Sequence, residues 1–133
     1  MESRSKHFRK RDAILEFMRQ TDAHPSAETV HAGLKATIPD ISLGTVYRNL
    51  ALFRQQGLIQ SLGSVRGVER FDGNVEPHVH FICTECGKIQ DLHQMQVPQD
   101  LSDQASILAS AKIRQCQLTF SGACEECAAL NSL

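Results

Sequence analysis

The sequence predicts an α+β protein, with an N-terminal winged helix-turn-helix domain followed by a small α/β domain. Three segments with apolar residues at helical spacing precede two short apolar runs separated by glycines, which is the order of a winged helix. A second half then begins with a short hairpin rich in histidine and cysteine. Turn formers at Asp72-Gly73-Asn74 separate the halves, so we expect domains at residues 1–72 and 78–133 with a hinge at 73–77.

Charge also divides the chain into two parts. Residues 1–70 contain eleven Lys and Arg against seven Asp and Glu, a net +4, whereas residues 71–133 contain three against eight, a net −5. A basic first half suits a polyanionic partner, and an acidic second half rich in ligand residues suits cations. The sequence has no apolar run of membrane length and no signal-peptide core, so we expect a cytoplasmic protein without a membrane partner. In that reducing compartment, five cysteines favour metal binding over disulfides.

Serine residues provide the start signals of the second and third predicted helices. Pro25 disfavours helix at His24, and Ser26 can cap a helix that ends near residue 35. Ser42 can cap a third helix that ends near residue 56, and a first helix ends near residue 21. The apolar faces of the three helices are Ala13, Ile14, Phe17 and Met18; Ala27, Val30 and Leu34; and Leu43, Val46, Leu50 and Phe53.

The outer face of the third helix suits a DNA groove. Arg48 projects from a face that is otherwise small or polar, with Thr45 and Tyr47 on its flanks. Two strands at residues 58–62 and 68–71 are predicted to form a wing around a loop at 63–67, with Arg66 at its tip. A three-helix core of this kind also serves in protein–protein contacts, but the basic balance favours double-stranded DNA.

A basic run opens the chain and adds Lys10 to the candidate DNA contacts. The run consists of Arg4, Lys6, His7, Arg9, Lys10 and Arg11. Such a run is either a solvated helix start or a set of phosphate contacts, and the sequence leaves both interpretations open. The candidate DNA-binding residues are therefore Thr45, Tyr47, Arg48, Arg66 and Lys10.

Two Cys-x-x-Cys pairs predict a structural zinc site. Cys83 and Cys86 bracket a two-residue turn, and Cys124 and Cys127 repeat the spacing near the C-terminus. Each pair can reach one ion because the turn folds around it, and together they supply four thiolates. The alternative is two unrelated thiol pairs or a redox dithiol. A shared Zn²⁺ would join the end of the second domain to its first hairpin and supply on the order of 10 kcal/mol of folding free energy.

A second candidate site combines imidazoles with carboxylates. His78 and His80 alternate on a predicted strand, so their side chains lie on the same face. Asp91 on the same hairpin, Asp72 at the hinge and His24 at a corner of the first domain extend the set to five ligands. Nitrogen and oxygen ligands of this kind suit iron(II), manganese(II) or zinc. Each residue alone also has an ordinary explanation as a cap or a solvated side chain.

The remaining predictions concern the second domain. We expect strands at residues 80–83, 88–92 and 112–121 and a helix at 99–109. His93, in phase with Asp91, is a spare ligand candidate whose ordinary reading is a surface histidine. Cys116 is expected to be a small buried apolar residue on the last strand, or else an oxidisable thiol.

In this order the motifs resemble the ferric-uptake-regulator family of bacterial metal-dependent repressors, and within it the peroxide-responsive branch. The resemblance covers about residues 8–128 of the chain. It rests on Ala23-His24-Pro25-Ser26-Ala27, Thr45-Val46-Tyr47-Arg48-Asn49-Leu50, Arg70-Phe71-Asp72, His78-Val79-His80-Phe81-Ile82-Cys83-Thr84-Glu85-Cys86-Gly87-Lys88 and Cys124-Glu125-Glu126-Cys127.

The resemblance implies a homodimer, assembled through residues 78–133, that binds palindromic operator DNA. It implies structural Zn²⁺ on the four cysteines of the two pairs. It also implies regulatory Fe²⁺ or Mn²⁺ on His24, Asp72, His78, His80 and Asp91. In the peroxide-responsive branch, bound iron reacts with hydrogen peroxide, a ligand histidine (here His24 or His78) is oxidised, and the DNA is released.

The leading hypothesis is therefore a peroxide-sensing repressor that is not an enzyme. The alternative within the same family is a regulator of iron or zinc uptake that senses the metal level alone. From a different class, two histidines and a carboxylate also make the centre of a non-haem iron enzyme. Turnover of an organic substrate would favour that third interpretation.

Overall fold

Serine caps begin two of the three helices in the first half of the chain. The computed structural model describes residues 6–131, and the side chains of residues 9–130. Its first three helices are α1 (Lys6–Gln20), α2 (Ala27–Leu34) and α3 (Leu43–Gln55). Ser26 accepts a hydrogen bond from the Thr29 N–H at 3.2 Å, and Ser42 accepts one from the Thr45 N–H at 3.1 Å. The three predicted helices and both predicted caps are confirmed.

The core of this half lies among the three helices and is closed by residues that follow α3. Ile59 and Phe71 are buried in the same cluster as the helical residues. Such a cluster excludes water from the helix faces and so holds α3 against α1 and α2. The buried helical residues are Ile14, Met18, Ala27, Val30, Leu34, Val46, Leu50 and Phe53, with Ala13, Phe17 and Leu43 partly buried against them.

The wing is a tighter hairpin than the sequence analysis predicted. Strand β1 spans Gln60–Val65 and pairs antiparallel with β2, Val68–Asp72. The predicted loop at 63–67 is wrong, because only Arg66 and Gly67 form the turn, both with positive φ as in a two-residue hairpin. Gly63 does not end the strand but sits at a register shift, where its φ of 82° suits a bulge. Arg66 therefore occupies the tip of the wing, as predicted.

Gly73 follows the wing at a point of close backbone approach. A Cβ atom built on this residue would lie 2.0 Å from the carbonyl oxygen of Met18. Any side chain here would collide with the backbone at the end of α1, so only glycine fits. The contact fixes the chain directly after Asp72, one of the predicted ligands.

The second half is a three-stranded sheet with two helices. Its elements are β3 (Val79–Cys83), β4 (Ile89–Asp91), α4 (Gln99–Ala109), β5 (Leu118–Gly122) and α5 (Glu125–Asn131). Strand β3 lies in the centre of the sheet, antiparallel to β4 and parallel to β5. The parallel pairing requires a crossover connection, and α4 lies within it.

Two predictions for this half are corrected. A strand was expected over residues 112–121, but β5 begins only at Leu118, which pairs with Val79, the first residue of β3. Residues 112–117 have no β3 residue opposite them, and Cys116 is half-buried in this stretch and not on a strand. Helix α5 was not predicted, because its seven residues are too few to display a helical period.

The chain divides into two compact units, Met1–Val75 and Glu76–Leu133. The first holds the three helices and the wing, and the second holds the mixed sheet. The predicted α+β class is confirmed, with a winged helix-turn-helix unit followed by a small α/β unit. None of the helices within residues 6–131 has the length and apolar character that a membrane span requires.

Candidate metal centres

The four cysteines of the two Cys-x-x-Cys pairs meet in the second unit. Cys83 ends β3, Cys86 lies in the turn that follows, and Cys124 and Cys127 lie at the start of α5. One ligand atom from each of the four lies within 4.8 Å of those of the other three. Helix α5 places Cys127 close to Cys124, since the Ala128 N–H bonds the Cys124 carbonyl and closes the first turn. The spacing of each pair and the length of β5 thus bring four sulfurs to one point.

The cluster has the dimensions and protonation chemistry of a zinc site. A tetrahedral ion with Zn–S bonds of about 2.3 Å separates its sulfurs by about 3.8 Å. The Sγ atoms of Cys86 and Cys124 are 3.8 Å apart. Backbone N–H groups of Cys86 and Cys124 donate to the Cys83 sulfur and lower the pKa of that thiol to about 6. The neighbouring Cys124 thiol holds the pKa of Cys127 well above its ordinary value, so a cation is needed before all four ionise.

A second group of ligand atoms surrounds Asp91 in the same unit. His80 and Asp91 face each other across β3 and β4, so their side chains share one face of the sheet. The Nε2 atom of His80 lies 3.2 Å from Asp91 Oδ1, and that of His78 lies 3.4 Å from the same oxygen. Neighbouring ligands of an ion with bonds of about 2.0–2.2 Å are between about 2.9 and 3.5 Å apart. The His80–Asp91 and the His78–Asp91 distances both fall in this range.

Hydrogen bonding determines which nitrogen of His78 is available. Its Nδ1 atom lies 2.7 Å from the Glu76 carbonyl oxygen, which can only accept, so Nδ1 carries the proton. In the neutral ring, Nε2 then presents a lone pair toward Asp91, itself an acceptor. Two electron-pair donors this close and largely shielded from water require a proton or a metal cation between them.

His24 and Asp72 form a corresponding pair in the first unit. Both side chains are buried, with His24 Nε2 3.6 Å from Asp72 Oδ2. The other carboxylate oxygen of Asp72 accepts the Asn74 N–H at 2.9 Å, which leaves Oδ2 directed at the imidazole. His24 has a φ of 53°, an unusual backbone conformation for a residue other than glycine. The pair thus brings one ring nitrogen and one carboxylate oxygen close together.

The predicted DNA contacts lie in different environments within the first unit. Arg48 is exposed on α3, and its guanidinium donates to the Thr45 hydroxyl at 3.2 Å. The Tyr47 hydroxyl, also exposed, donates to the Glu28 carboxylate, and this hydrogen bond raises the pKa of Tyr47. Lys10 is largely covered and pairs with Asp40 at 3.3 Å, so it is less available than the exposed Arg48 and Tyr47. Of the basic run, Arg4 and the side chains of Lys6 and His7 lie outside the described residues.

Two residues near the ligands, Arg70 and His93, are not among the five predicted ligands. Arg70 donates from its guanidinium to the carbonyl oxygens of Ala23 and His24. Arg70 lies two residues before Asp72 on a strand, so the two side chains are on the same face. This spacing is the sequence signal that points to Arg70. His93 lies with Nε2 3.7 Å from Asp91 Oδ2, but its side chain is 71% exposed. His93 thus keeps its ordinary reading as a surface histidine.

Comparisons with known proteins agree on one family. A model of the ferric uptake regulator family matches residues 2–121 of this chain. The peroxide operon regulator of Bacillus subtilis (strain 168) is 36% identical over 117 residues, which cover 88% of this chain and 80% of that protein. The peroxide-responsive repressor PerR of Staphylococcus epidermidis is 32% identical over 117 residues, which cover 88% and 77%. Among solved structures, the Campylobacter jejuni peroxide stress regulator has a TM-score of 0.78 at 25% identity, covering 92% of this chain and 91% of that one.

Proposed function

This chain belongs to the ferric uptake regulator family, and from that premise we propose that it is a metal-dependent transcriptional repressor that senses hydrogen peroxide. The resemblance drawn from the sequence motifs is confirmed, both for the family and for its similarity to the peroxide-responsive members. The observation that carries the proposal is the approach of two imidazole nitrogens to one carboxylate oxygen in the second unit. The family consists of regulators, so we assign a regulatory and not an enzymatic role, exercised in the cytoplasm on DNA.

The regulatory ligands proposed for Fe²⁺ or Mn²⁺ are the same five that the sequence suggested. They are His24, Asp72, His78, His80 and Asp91. The distances within each unit support this set, since each imidazole has a carboxylate oxygen within 3.2–3.6 Å. Nitrogen and oxygen donors favour these ions over softer ones. Occupancy of the site is proposed to favour the DNA-binding conformation of the chain.

Peroxide sensing is proposed to depend on which ion is bound. Bound iron(II) would supply the reduction of hydrogen peroxide at the site, and manganese(II) would not. Of the ligand histidines, His24 or His78 is the proposed target of oxidation. A histidine that has gained an oxygen loses its lone-pair donor, so the ion is held less tightly and the DNA-binding conformation is no longer favoured.

The four-cysteine cluster is proposed to hold structural Zn²⁺. Support comes from the sulfur–sulfur distance and from the thiol chemistry of Cys83 described above. All four positions are taken by protein thiolates, which leaves no open coordination position for a reactant. Its proposed role is to join α5 to the end of β3.

Dimerisation is proposed to involve the exposed apolar surface of the second unit. Ile107 and Leu108, at the end of α4, are 78% and 86% exposed, and Phe120 on β5 is 44% exposed. Strand β5 is also an edge of the sheet as described, with backbone groups available for pairing. A second copy of the chain is the partner that the family leads us to propose for this surface, and a homodimer would present two copies of α3 and the wing to palindromic DNA.

Replacing Ile107 with aspartate is expected to weaken self-association by about 100-fold or more. Burying one isoleucine contributes about 1.5–3 kcal/mol, and a symmetric interface loses two of them. Sedimentation of the zinc-loaded protein over a range of concentrations measures the dimer dissociation constant. Gln55→Asp adds the same charge at an exposed position of α3 and should leave the constant unchanged. Equal dimerisation by Ile107→Asp and the parent would exclude this surface.

The alternative is a regulator of iron or zinc uptake that senses metal level without peroxide chemistry, and Asp91→Glu distinguishes the two. The longer side chain keeps a carboxylate but moves it relative to His78 and His80, whose nitrogens now lie 3.2–3.4 Å from Asp91 Oδ1. We expect metal-dependent DNA binding to persist while iron-dependent histidine oxidation falls about tenfold or more, as changes near a metal commonly cause. Asp103→Glu, on α4, is the matched control. Unchanged oxidation in Asp91→Glu would show that Asp91 does not set the peroxide reactivity, whereas metal-dependent DNA binding without histidine oxidation in parent or variant would favour the metal-level regulator.

A further inference from the structure

The backbone at His24 adopts a conformation that its sequence does not favour. Its φ of 53° lies in the left-handed region, where a side chain collides with its own backbone. The next residue is Pro25, whose ring further restricts the preceding residue. A conformation of this kind persists only when surrounding groups hold it in place. The groups that hold the His24 corner therefore also determine where its imidazole lies.

Strand β2 supplies three hydrogen bonds to this corner. The Arg70 guanidinium donates through Nη2 to the Ala23 carbonyl at 3.2 Å, and through Nε to the His24 carbonyl. The Phe71 N–H donates to the Pro25 carbonyl at 2.9 Å. Three successive carbonyl groups, on both sides of the strained residue, are thus tied to two neighbouring residues of the wing.

The same strand carries the carboxylate that faces His24. Asp72 follows Arg70 by two residues, so both side chains lie on one face of β2. We propose that Arg70 is a positioning residue of the regulatory metal site, which holds the His24 corner so that the imidazole and Asp72 reach the ion together. The inference rests on the proposed role of His24 as a ligand. It adds that metal affinity depends on a wing residue that need not touch the ion.

Arginine is suited to this task in a way that other cations are not. Its planar guanidinium carries several N–H donors in a fixed fork, so one side chain can serve two carbonyl groups at once. Lysine would keep the charge and reach at most one of them with defined geometry. Arg70→Lys should therefore bind the regulatory metal with an affinity between those of the parent and Arg70→Ala.

Manganese affinity of the zinc-loaded protein tests the proposal. Arg70→Ala is expected to bind Mn²⁺ about 10- to 100-fold more weakly than the parent, the range seen when groups that orient a ligand are removed. Zinc content and the circular dichroism of the fold should be unchanged. Arg54→Ala is the matched control. Arg54, on α3, forms an ion pair with Glu69, the neighbour of Arg70 on β2, but its side chain is 62% exposed. If Arg70→Ala does not fold, Arg70→Lys serves as the test, and its Mn²⁺ affinity is expected to be weaker than that of the parent.

A double-mutant comparison separates positioning from a general effect on stability. If Arg70 acts through His24, then Arg70→Ala combined with His24→Ala should bind Mn²⁺ no more weakly than His24→Ala alone. The inference would be overturned if the losses of Mn²⁺ affinity in the two single variants multiply in the double variant. It would also be overturned if Arg70→Ala and Arg70→Lys bind Mn²⁺ like the parent while His24→Ala binds it more weakly. Both results would leave the proposed function standing. Parent-like affinity in His24→Ala itself would instead remove His24 from the proposed ligand set, and the role of Arg70 with it.

Discussion

Replacing Cys124 with serine is expected to release zinc and unfold the second unit. Cys124 is buried, its sulfur lies 3.8 Å from that of Cys86, and its N–H bonds the Cys83 sulfur. Binding of a structural zinc contributes on the order of 10 kcal/mol, which exceeds the net stability of many small domains. Three remaining thiols cannot supply this energy, and α5 would lose its connection to β3.

Zinc content by elemental mass spectrometry and thermal unfolding by circular dichroism measure this effect. Cys116→Ser is the matched control, since Cys116 is half-buried and outside the cluster. It should keep about one zinc per chain and a nearly unchanged melting temperature. A Cys124→Ser protein that retains zinc and melts like the parent would contradict a structural role for the cluster.

Replacing His80 with alanine is expected to abolish regulatory metal binding at physiological concentrations. His80 is buried, and its Nε2 lies 3.2 Å from Asp91 Oδ1. Changes to groups that merely orient a ligand cost 10- to 100-fold in affinity, so loss of a ligand itself should cost more than about 100-fold. Metal-dependent DNA binding should be lost with it, while the zinc cluster, built from other residues, should remain loaded.

Titration with Mn²⁺ in the zinc-loaded state measures the loss. His31→Ala is the control, because the His31 imidazole bonds the Ile41 carbonyl at 3.0 Å and belongs to neither ligand group. It should bind Mn²⁺ like the parent. Parent-like affinity in His80→Ala would show that the ion binds elsewhere.

The parts of the candidate sites that follow from local rules could be predicted from the sequence. Cys-x-x-Cys spacing is set by one turn, and His78 lies directly before β3, two residues from His80, so neither feature depends on a distant contact. Asp91 could be included because a hairpin with a tight turn pairs residues at predictable positions, and it does pair with His80. The serine caps of α2 and α3 are equally local.

The features that the sequence did not reveal depend on partners distant in the chain. Residues 112–117 contain no turn former to mark the start of β5, but pairing begins only at Leu118, opposite the first residue of β3. The bulge at Gly63 arises from pairing with β2. In the sequence alone, a glycine at this position predicts the end of a strand. The hydrogen bonds from Arg70 to Ala23 and His24 cross more than forty residues of sequence. No periodicity or motif spacing carries information over that distance.

Mass spectrometry after peroxide treatment tests the central claim most directly. The protein is loaded with iron(II) or manganese(II), bound to palindromic DNA selected from a random pool, and exposed to a low concentration of hydrogen peroxide. We expect a gain of one oxygen atom on His24 or His78 with iron only, together with release of the DNA. If both metal forms stay unmodified and bound to DNA, the protein senses the metal level and not peroxide.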